Sequence, residues 1–523
     1  MNNMPLLTEV IMYAMTYSLV QDGFDVREVE VECHLSSGLP SFKVSGLPCT
    51  AVKEARERVR AAVKSSGFKF PRRRITINLA PANLPKYGTH LDLAMAISLL
   101  KASGQIKTNF AKNHYALGEL SLMGQFKCSP QCFNLILGAL QQNPLNKFIF
   151  PDSLSIKMTD VSVSAILLKN LACLKNINYQ KHSSKLNDQQ IFSTDIDLDI
   201  FSDIIGQYSA RRALQISLAG HHHLLLVGPP GCGKSLIADK LKLLPNLLDK
   251  QESWQSKRLF HMTNYETEIN SAGIPVRCPH HSASIKGILG GGRPIMPGEV
   301  SLSHRGYLIL DELPEFKRNV LESLRQIMQN YKVHLSHGFE KSIFPAVSTV
   351  LATMNPCPCG YYNSSISGAI CRCTPQQIHN YQSRISGPLL DRFGMSISLQ
   401  LDDNFHLRKE SPFNLKEYWE SILKARKLQI NRYEKNYNSN TTFSTYFNGQ
   451  ISEQDFQKFT GILPGKFKKL SSLKISNRKH SQLLRIAQTI ADLEESHVTQ
   501  EHFDEAIYLQ QFVQFSYHSD RKR

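Results

Sequence analysis

The sequence predicts an α/β chain, with a parallel-sheet nucleotide-binding core set between a mixed α+β region and a helical one. Three observations carry this. A G-x-x-x-x-G-K-[ST] run, Gly228-Pro229-Pro230-Gly231-Cys232-Gly233-Lys234-Ser235, follows the apolar segment Leu224 to Val227 and leads into Leu236-Ile237-Ala238, which reads as a helix start. A second apolar segment, Tyr307-Leu308-Ile309-Leu310, ends in Asp311-Glu312. The periodicity also changes, from short alternating runs in roughly the first 170 residues to helical spacing beyond about residue 405.

At 523 residues the chain exceeds one core, and roughly three domains are expected. A composition of 41% hydrophobic and 20% charged residues is that of an ordinary globular protein. No apolar run approaches the ~20 residues that cross a bilayer. Met4 to Val20 is fairly apolar, but Glu9 interrupts it and no basic residue precedes it, so a cytoplasmic chain is expected rather than a secreted one. The net charge of +17 makes nucleic acid the natural partner; a basic tail, Arg521-Lys522-Arg523, is the plainer source of part of it. Eleven cysteines in such a chain do not imply a disulfide framework.

In the first region, 1–172, Arg27 to His34 and Arg74 to Leu79 alternate as strands do, and Ala51 to Val63 has helical spacing. The stretch 173–200 is polar, rich in Ser, Asn and Asp and without period, and reads as a linker. From 201 to 401, buried strands alternate with helices as in a parallel sheet. The region 402–523 is helical, for example over Trp419 to Tyr433 and Ser481 to Leu493.

The glycine-rich run carries the chemistry of a phosphate cradle. Glycines let the backbone wrap closely and turn successive N–H groups toward a nucleotide's phosphates. Lys234 would reach the outer phosphates and the Ser235 hydroxyl would hold Mg²⁺, so ATP or GTP is the expected ligand. Asp311 would complete the Mg²⁺ shell and Glu312 would polarise the attacking water. Val347 to Ala352 is a further buried run ending at Thr353-Met354-Asn355, where the Asn355 amide could orient that water. Arg384 to Arg392 supplies two guanidiniums suited to a transferring phosphoryl group; if Arg392 serves a neighbouring subunit, a ring follows.

Directly after Asn355 come Cys357-Pro358-Cys359 and Cys371-Arg372-Cys373. Two tight pairs of thiolates could close a tetrahedral Zn²⁺ site, although C-x-x-C is the commoner spacing and reduced structural cysteines are the alternative. Lys332 to Phe344 reads as a β-hairpin turning at His337-Gly338-Phe339-Glu340.

Together these residues resemble the AAA+ module of the magnesium-chelatase-like branch, which is related to the MCM helicases. Most of the chain resembles the ComM/YifB family. The resemblance runs through Gly46-Leu47-Pro48, Ala51 to Ala55, Asn78 to Lys86, the glycine-rich run, Pro279 to Ser284, Gly290-Gly291-Gly292 and Pro297-Gly298-Glu299. It continues through Asp311 to Phe316, Met354 to Gly360, Arg384 to Arg392 and Ile490 to Leu493. It implies ATP as the nucleotide, Asn355 as the sensor-1 residue, Arg392 as an arginine finger and Arg478 as the sensor-2 residue of a helical lid. It further implies a hexameric, ATP-driven DNA helicase that promotes branch migration during integration of transforming DNA, acting on single-stranded and branched DNA. A metal-chelatase motor subunit is the alternative within the same branch. The hairpin stands where related helicases carry a pore hairpin, making His337 and Lys341 candidate phosphate contacts; Lys286, in the segment resembling the helix-2 insertion, is another. The plainer alternative is that both segments are ordinary surface loops.

By the same resemblance the first region has a Lon-protease-like fold. Where such proteases carry a serine nucleophile, this chain has Pro85-Lys86-Tyr87-Gly88-Thr89-His90, with His90 near the serine position. No partner lysine stands out between Gly118 and Leu135. Without a hydroxyl beside a low-pKa amine, acyl-enzyme chemistry has no starting point, and a non-proteolytic platform is expected. The cluster Arg72-Arg73-Arg74 could touch phosphates or be a solvated strand edge. The chain departs from the family at Phe393-Gly394-Met395, where an acidic residue is usual, and over 402–416 and 436–466.

Overall fold

A computed structural model describes residues 12–107, 110, 112–127, 129–155, 163–175, 182–183, 207–244, 248–263, 274–338, 340–363, 370–399, 415–434, 447–461 and 476–510. The tail Arg521-Lys522-Arg523 and most of the atypical stretches 402–416 and 436–466 lie outside these residues.

The first domain is built on an eight-stranded mixed sheet. Its strands are Tyr13–Asp22 (β1), Asp25–Ser36 (β2), Ser41–Ser45 (β3), Arg74–Ala80 (β4), His114–Ala116 (β5), Lys147–Pro151 (β6), Ser164–Leu168 (β7) and His182–Ser183 (β8). They lie in the order β8-β7-β6-β5-β1-β2-β4-β3. The alternation read in the sequence is the pleat of β2: Val29, Val31, Cys33 and Leu35 are buried while Glu28, Glu30 and Glu32 take the other face. Gly23, at φ +63°, makes the tight β1–β2 turn. Thr50–Ser65 (α1) and Asp92–Ala102 (α2) cover the apolar face, α1 through Val52, Ala55, Val59 and Val63.

Of the stretch 173–200 read as a linker, only 173–175 and 182–183 are among the described residues: the first three end a 3₁₀ turn, Leu171–Lys175, and β8 pairs with β7 at the edge of the sheet. Polar composition records solvation of a segment; it does not record backbone pairing at a sheet edge.

The second domain holds a five-stranded, wholly parallel sheet of Leu224–Val227 (β9), Val276–Arg277 (β10), Tyr307–Leu310 (β11), Thr349–Met354 (β14) and Met395–Ser398 (β15), in the order β10-β11-β14-β9-β15. The strands Lys332–His337 (β12) and Glu340–Pro345 (β13) form the expected antiparallel hairpin beside it. Its helices include Tyr208–Gly220 (α4), Lys234–Lys240 (α5), Lys250–Met262 (α6), Arg318–Asn330 (α7), Pro375–Gln382 (α8) and Gly387–Leu390 (α9). Every residue of β9, β11 and β14 is buried, which is why these strands read as continuous apolar runs. At ~1.5–3 kcal/mol per large apolar side chain, this burial is what holds the strand ends carrying the site in place.

Among the described residues beyond 415 there are four helices: Leu415–Glu434 (α10), Glu453–Thr460 (α11), Asn477–Leu493 (α12) and Gln500–Tyr508 (α13). Ser476 caps α12 by accepting from the Lys479 N–H, and one apolar cluster joins Trp419, Ile422, Ile486 and Ile490 to Leu224, Leu226 and Leu351 of the sheet.

The first two domains are fastened through α6 and Pro130–Gln142 (α3). The buried Arg258 of α6 donates to Asn134 Oδ1 at 3.1 Å, to Gln141 and to the Phe24 carbonyl, and lies 4.0 Å from the Phe24 ring centroid. Burial lowers its pKa to about 10, still well above neutrality.

Candidate functional site

The site forms where β9, β11 and β14 end on one side of the sheet. The turn after β9 carries Gly231 at φ +78° and Gly233 at φ +89°; nothing lies within 4 Å of where a Cβ would stand at either position. This is the open cradle a phosphate chain needs, and α5 begins at Lys234. A cavity of about 330 Å³ is lined by Gly231, Lys234, Ser235, Asp311, Glu312 and Asn355 among others.

Lys234 is held by the loop it completes. Its ammonium donates to the Gly228 and Pro229 carbonyls, each at 2.7 Å, and to Asn355 Oδ1 at 3.1 Å. Burial lowers its pKa, opposed by Cys232 and Asp311. The Ser235 hydroxyl donates to Asp311 Oδ2 at 3.1 Å, so a hydroxyl and a carboxylate meet as hard oxygen donors for Mg²⁺. The Thr353 hydroxyl donates to the other Asp311 oxygen and accepts from the Glu312 N–H at 3.1 Å, fixing both acids from the neighbouring strand. Glu312 takes a left-handed backbone, φ +54°, which ends the strand abruptly; its side chain is 56% exposed, with His281 Nδ1 at 3.8 Å. The residues present thus fit a Mg²⁺–nucleoside triphosphate and can present a water to its outer phosphate.

The two arginines lie elsewhere. Arg392 donates to Gln329 Oε1 at 2.7 Å and to the Pro388 carbonyl at 2.8 Å, and Arg478 reaches the same Gln329 oxygen at 3.3 Å. Burial, then Arg478 and Arg325, lowers the Arg392 pKa. Neither arginine lines the cavity. Arg478 and Arg392 thus converge on one side chain, Gln329, outside the lining of the nucleotide-sized cavity.

Lys286, on the short helix Ile285–Leu289, and His337 and Lys341, on the hairpin, are all exposed. The two segments meet, since Gly290 abuts Leu335, and the Arg293 guanidinium lies beside Gly338. The hairpin also leans on the first domain: Tyr87 donates to Glu340 Oε1 at 2.8 Å, and burial raises the Tyr87 pKa to about 12. Thus the loop that would hold a protease nucleophile here supports a hairpin. Within it, His90 is buried with Nε2 2.8 Å from the Leu19 carbonyl, and burial lowers its pKa to about 4. Its neighbour from α3 is the Gln131 amide, not an amine. Lys86 is buried too, donating to the Pro81 carbonyl, with its pKa lowered by burial to about 8.

The four cysteines come together. Their sulfurs lie within 4.8 Å of one another, with Cys357–Cys359 at 3.3 Å, Cys359–Cys371 at 3.6 Å and Cys357–Cys371 at 3.8 Å. Such a cluster can hold a metal ion.

Thr353, His281, Arg293 and Gln329 are the neighbours that sequence reasoning missed. Thr353 and His281 stood inside motifs singled out above, and two strand-end or loop polar residues beside catalytic acids were the available signal. Nothing local marked Gln329 or Arg293.

These features define an AAA+ protein of the magnesium-chelatase-like branch. Family models agree: "Magnesium chelatase, subunit ChlI" matches residues 200–406, "Subunit ChlI of Mg-chelatase" residues 31–153, and "Magnesium chelatase, subunit ChlI C-terminal" residues 415–510. The chain is 36% identical over 504 residues to uncharacterized protein YifB of Escherichia coli, covering 93% of this chain and 94% of that one. It is 37% identical over 509 residues to competence protein ComM of Haemophilus influenzae, covering 94% and 96%. An uncharacterized Mycobacterium tuberculosis protein, Rv2897c, is 32% identical over 390 residues, or 73% of this chain and 76% of that one. The chain belongs to the ComM/YifB family. Among the described residues no helix is long and apolar enough to cross a membrane.

Proposed function

We propose that this chain is an ATP-hydrolysing DNA motor that works in the cytoplasm as a homo-hexameric ring, driving branch migration in homologous recombination and the integration of DNA taken up in natural transformation. Gly228 to Ser235 bind the ATP phosphates, Ser235 and Asp311 hold Mg²⁺, Glu312 polarises the lytic water and Asn355 orients it. Arg392 and Arg478 act on the nucleotide of the next subunit. The carrying observation is that these two arginines share Gln329 while neither lines the cavity of their own chain. Among the described residues no arginine lines the cavity, and a guanidinium from a neighbouring subunit would supply the charge neutralisation that phosphoryl transfer draws on. Lys286, His337 and Lys341 contact phosphates of single-stranded or branched DNA, and the first domain is a non-proteolytic platform. The net charge of +17 and the competence name of a 37%-identical relative support DNA as the polymer. The four cysteines hold Zn²⁺.

ATP turnover measured without DNA and with single-stranded, duplex and forked DNA tests this. Turnover should rise with DNA, and the DNA concentration needed should increase by on the order of tenfold or more between low and moderate salt. An assembled sample whose turnover ignores every DNA would end the reading. The names of the matching family models favour, as a second reading, a metal-chelatase-type motor subunit, and that result would leave it standing.

A further inference from the structure

We propose that the zinc-loaded cysteine knuckle braces the ATP site from outside, pressing on the phosphate loop through Gly360 and Pro230 while holding Asn355 toward Lys234. The inference rests on the zinc reading above and adds to it a task in nucleotide binding.

Geometry supports the ion. Four thiolates at ~2.3 Å from a central Zn²⁺ form a tetrahedron whose edges are about 3.8 Å. The three separations given above, 3.3 to 3.8 Å, approach that edge length. A closed set of four sulfurs leaves no open position for substrate, so the ion's work is structural. Among its described residues the cluster buries little: Cys357 is buried, but Cys359, Cys371 and Cys373 are only half-buried, and Ile370 is 79% exposed. Without an ion, little apolar packing would hold this turn in shape.

The knuckle is joined to the nucleotide cradle on two sides. Gly360, at φ +86°, stands so close to the phosphate loop that a Cβ there would lie 2.4 Å from Pro230 Cδ. The turn therefore packs against the Pro230 ring of the phosphate loop. On the other side, Cys357 follows Asn355 by two residues, and Asn355 Oδ1 accepts from Lys234. Helix α8 begins directly after the last cysteine, capped by Thr374, and its far end returns to the same strand end: Gln382 donates to the Pro356 carbonyl at 2.9 Å, and the Tyr381 hydroxyl meets the Asn355 backbone. The four sulfurs thus pin a strap whose fixed points are the phosphate loop, Asn355 and the helix leading to Arg384 and Arg392.

The test is zinc content and nucleotide affinity, both read without DNA and without turnover, so that it stands apart from the DNA-motor reading. Protein purified without chelator should contain about one zinc per chain and no iron. Cys371→Ser/Cys373→Ser should lose the zinc and bind a fluorescent ADP analogue about tenfold more weakly. Gly360→Ala, with all four cysteines intact, should keep the zinc yet show the same direction of loss, which covers the case in which the double variant fails to fold. Less than half an equivalent of zinc in the unaltered protein, or iron in its place, overturns the site. Unchanged affinity in Gly360→Ala, or in a folded zinc-free double variant, overturns the brace.

Discussion

At the scale of single residues, the site is a set of strand-end groups held in different surroundings. Lys234 sits inside its own loop with three oxygen partners and the Cys232 sulfur, poised to exchange carbonyl oxygens for phosphate oxygens. Glu312 is more open: its backbone N–H donates to Thr353, and its half-exposed carboxylate has His281 Nδ1 at 3.8 Å. On the proposed mechanism, removing the first charge should affect binding, and neutralising the second should affect the chemical step. Lys234→Ala should abolish nucleotide binding in a fluorescence titration. Glu312→Gln should bind ATP normally, while phosphate release falls by on the order of 10²–10⁴, the usual contribution of a positioned proton acceptor. Normal turnover in Glu312→Gln would remove that residue from the mechanism. The motifs made both residues legible because each is contiguous with its strand. Thr353 was harder to see: a threonine in a buried strand reads as packing until the neighbouring strand brings Asp311 against it.

Among elements, the turn from α4 into β9 ties the helical lid to the sheet. It consists of His221, His222 and His223, all buried. His221 Nδ1 lies 2.8 Å from Thr349 Oγ1, His222 Nε2 lies 2.8 Å from Thr489 Oγ1 of α12, and His223 Nδ1 accepts from the Val350 N–H at 2.9 Å. Burial lowers the His222 pKa to about 3 and the His223 pKa to about 4, and holds His221 well below the usual range. Arg426 and Arg305 beside His221, and Arg485 beside His222, press in the same direction. The unfolded chain therefore binds protons below about pH 6.5 that the folded chain refuses. The stabilisation is complete above that pH and is lost as pH falls toward 4, at about 1.4 kcal/mol per pH unit for each histidine. Thermal unfolding followed from pH 7 to pH 4.5 should show this decline, and His222→Gln should flatten it. A variant with the unaltered slope would show that other groups dominate the acid response. The histidine run carried no signal in sequence, because three consecutive imidazoles look solvated until a sheet and a lid close over them.

For the whole molecule, the division between cradle and arginines decides how it works. If Arg392 completes the neighbour's site, Arg392→Ala subunits should bind ATP and fail to hydrolyse it. Mixing them in equal amounts with Glu312→Gln subunits should restore turnover at about a quarter of the interfaces, those pairing an intact acid with an intact arginine in a head-to-tail ring. Phosphate release from the mixture, compared with each variant alone, reads this out; no recovery would mean the arginine acts within its own chain. The contact of Tyr87 with Glu340 bears on the same scale, since it joins the first domain to the hairpin across 253 positions of sequence.

The sequence by itself determined the local chemistry: the glycine-rich cradle, the strand-end acids, Asn355, the paired cysteines and the alternation of strands and helices. These are features of short range, in which a residue's backbone conformation and its neighbours in the chain set what it does. Only the tertiary structure decided which surfaces those parts share. It grouped Arg392 with Arg478 through Gln329, partners 63 and 149 positions away, and it extended the first sheet into a segment that composition assigns to a linker. It also laid the cysteine turn against Pro230. Such contacts arise from packing of whole elements, where burial is collective and no local pattern records which distant side chain will meet which.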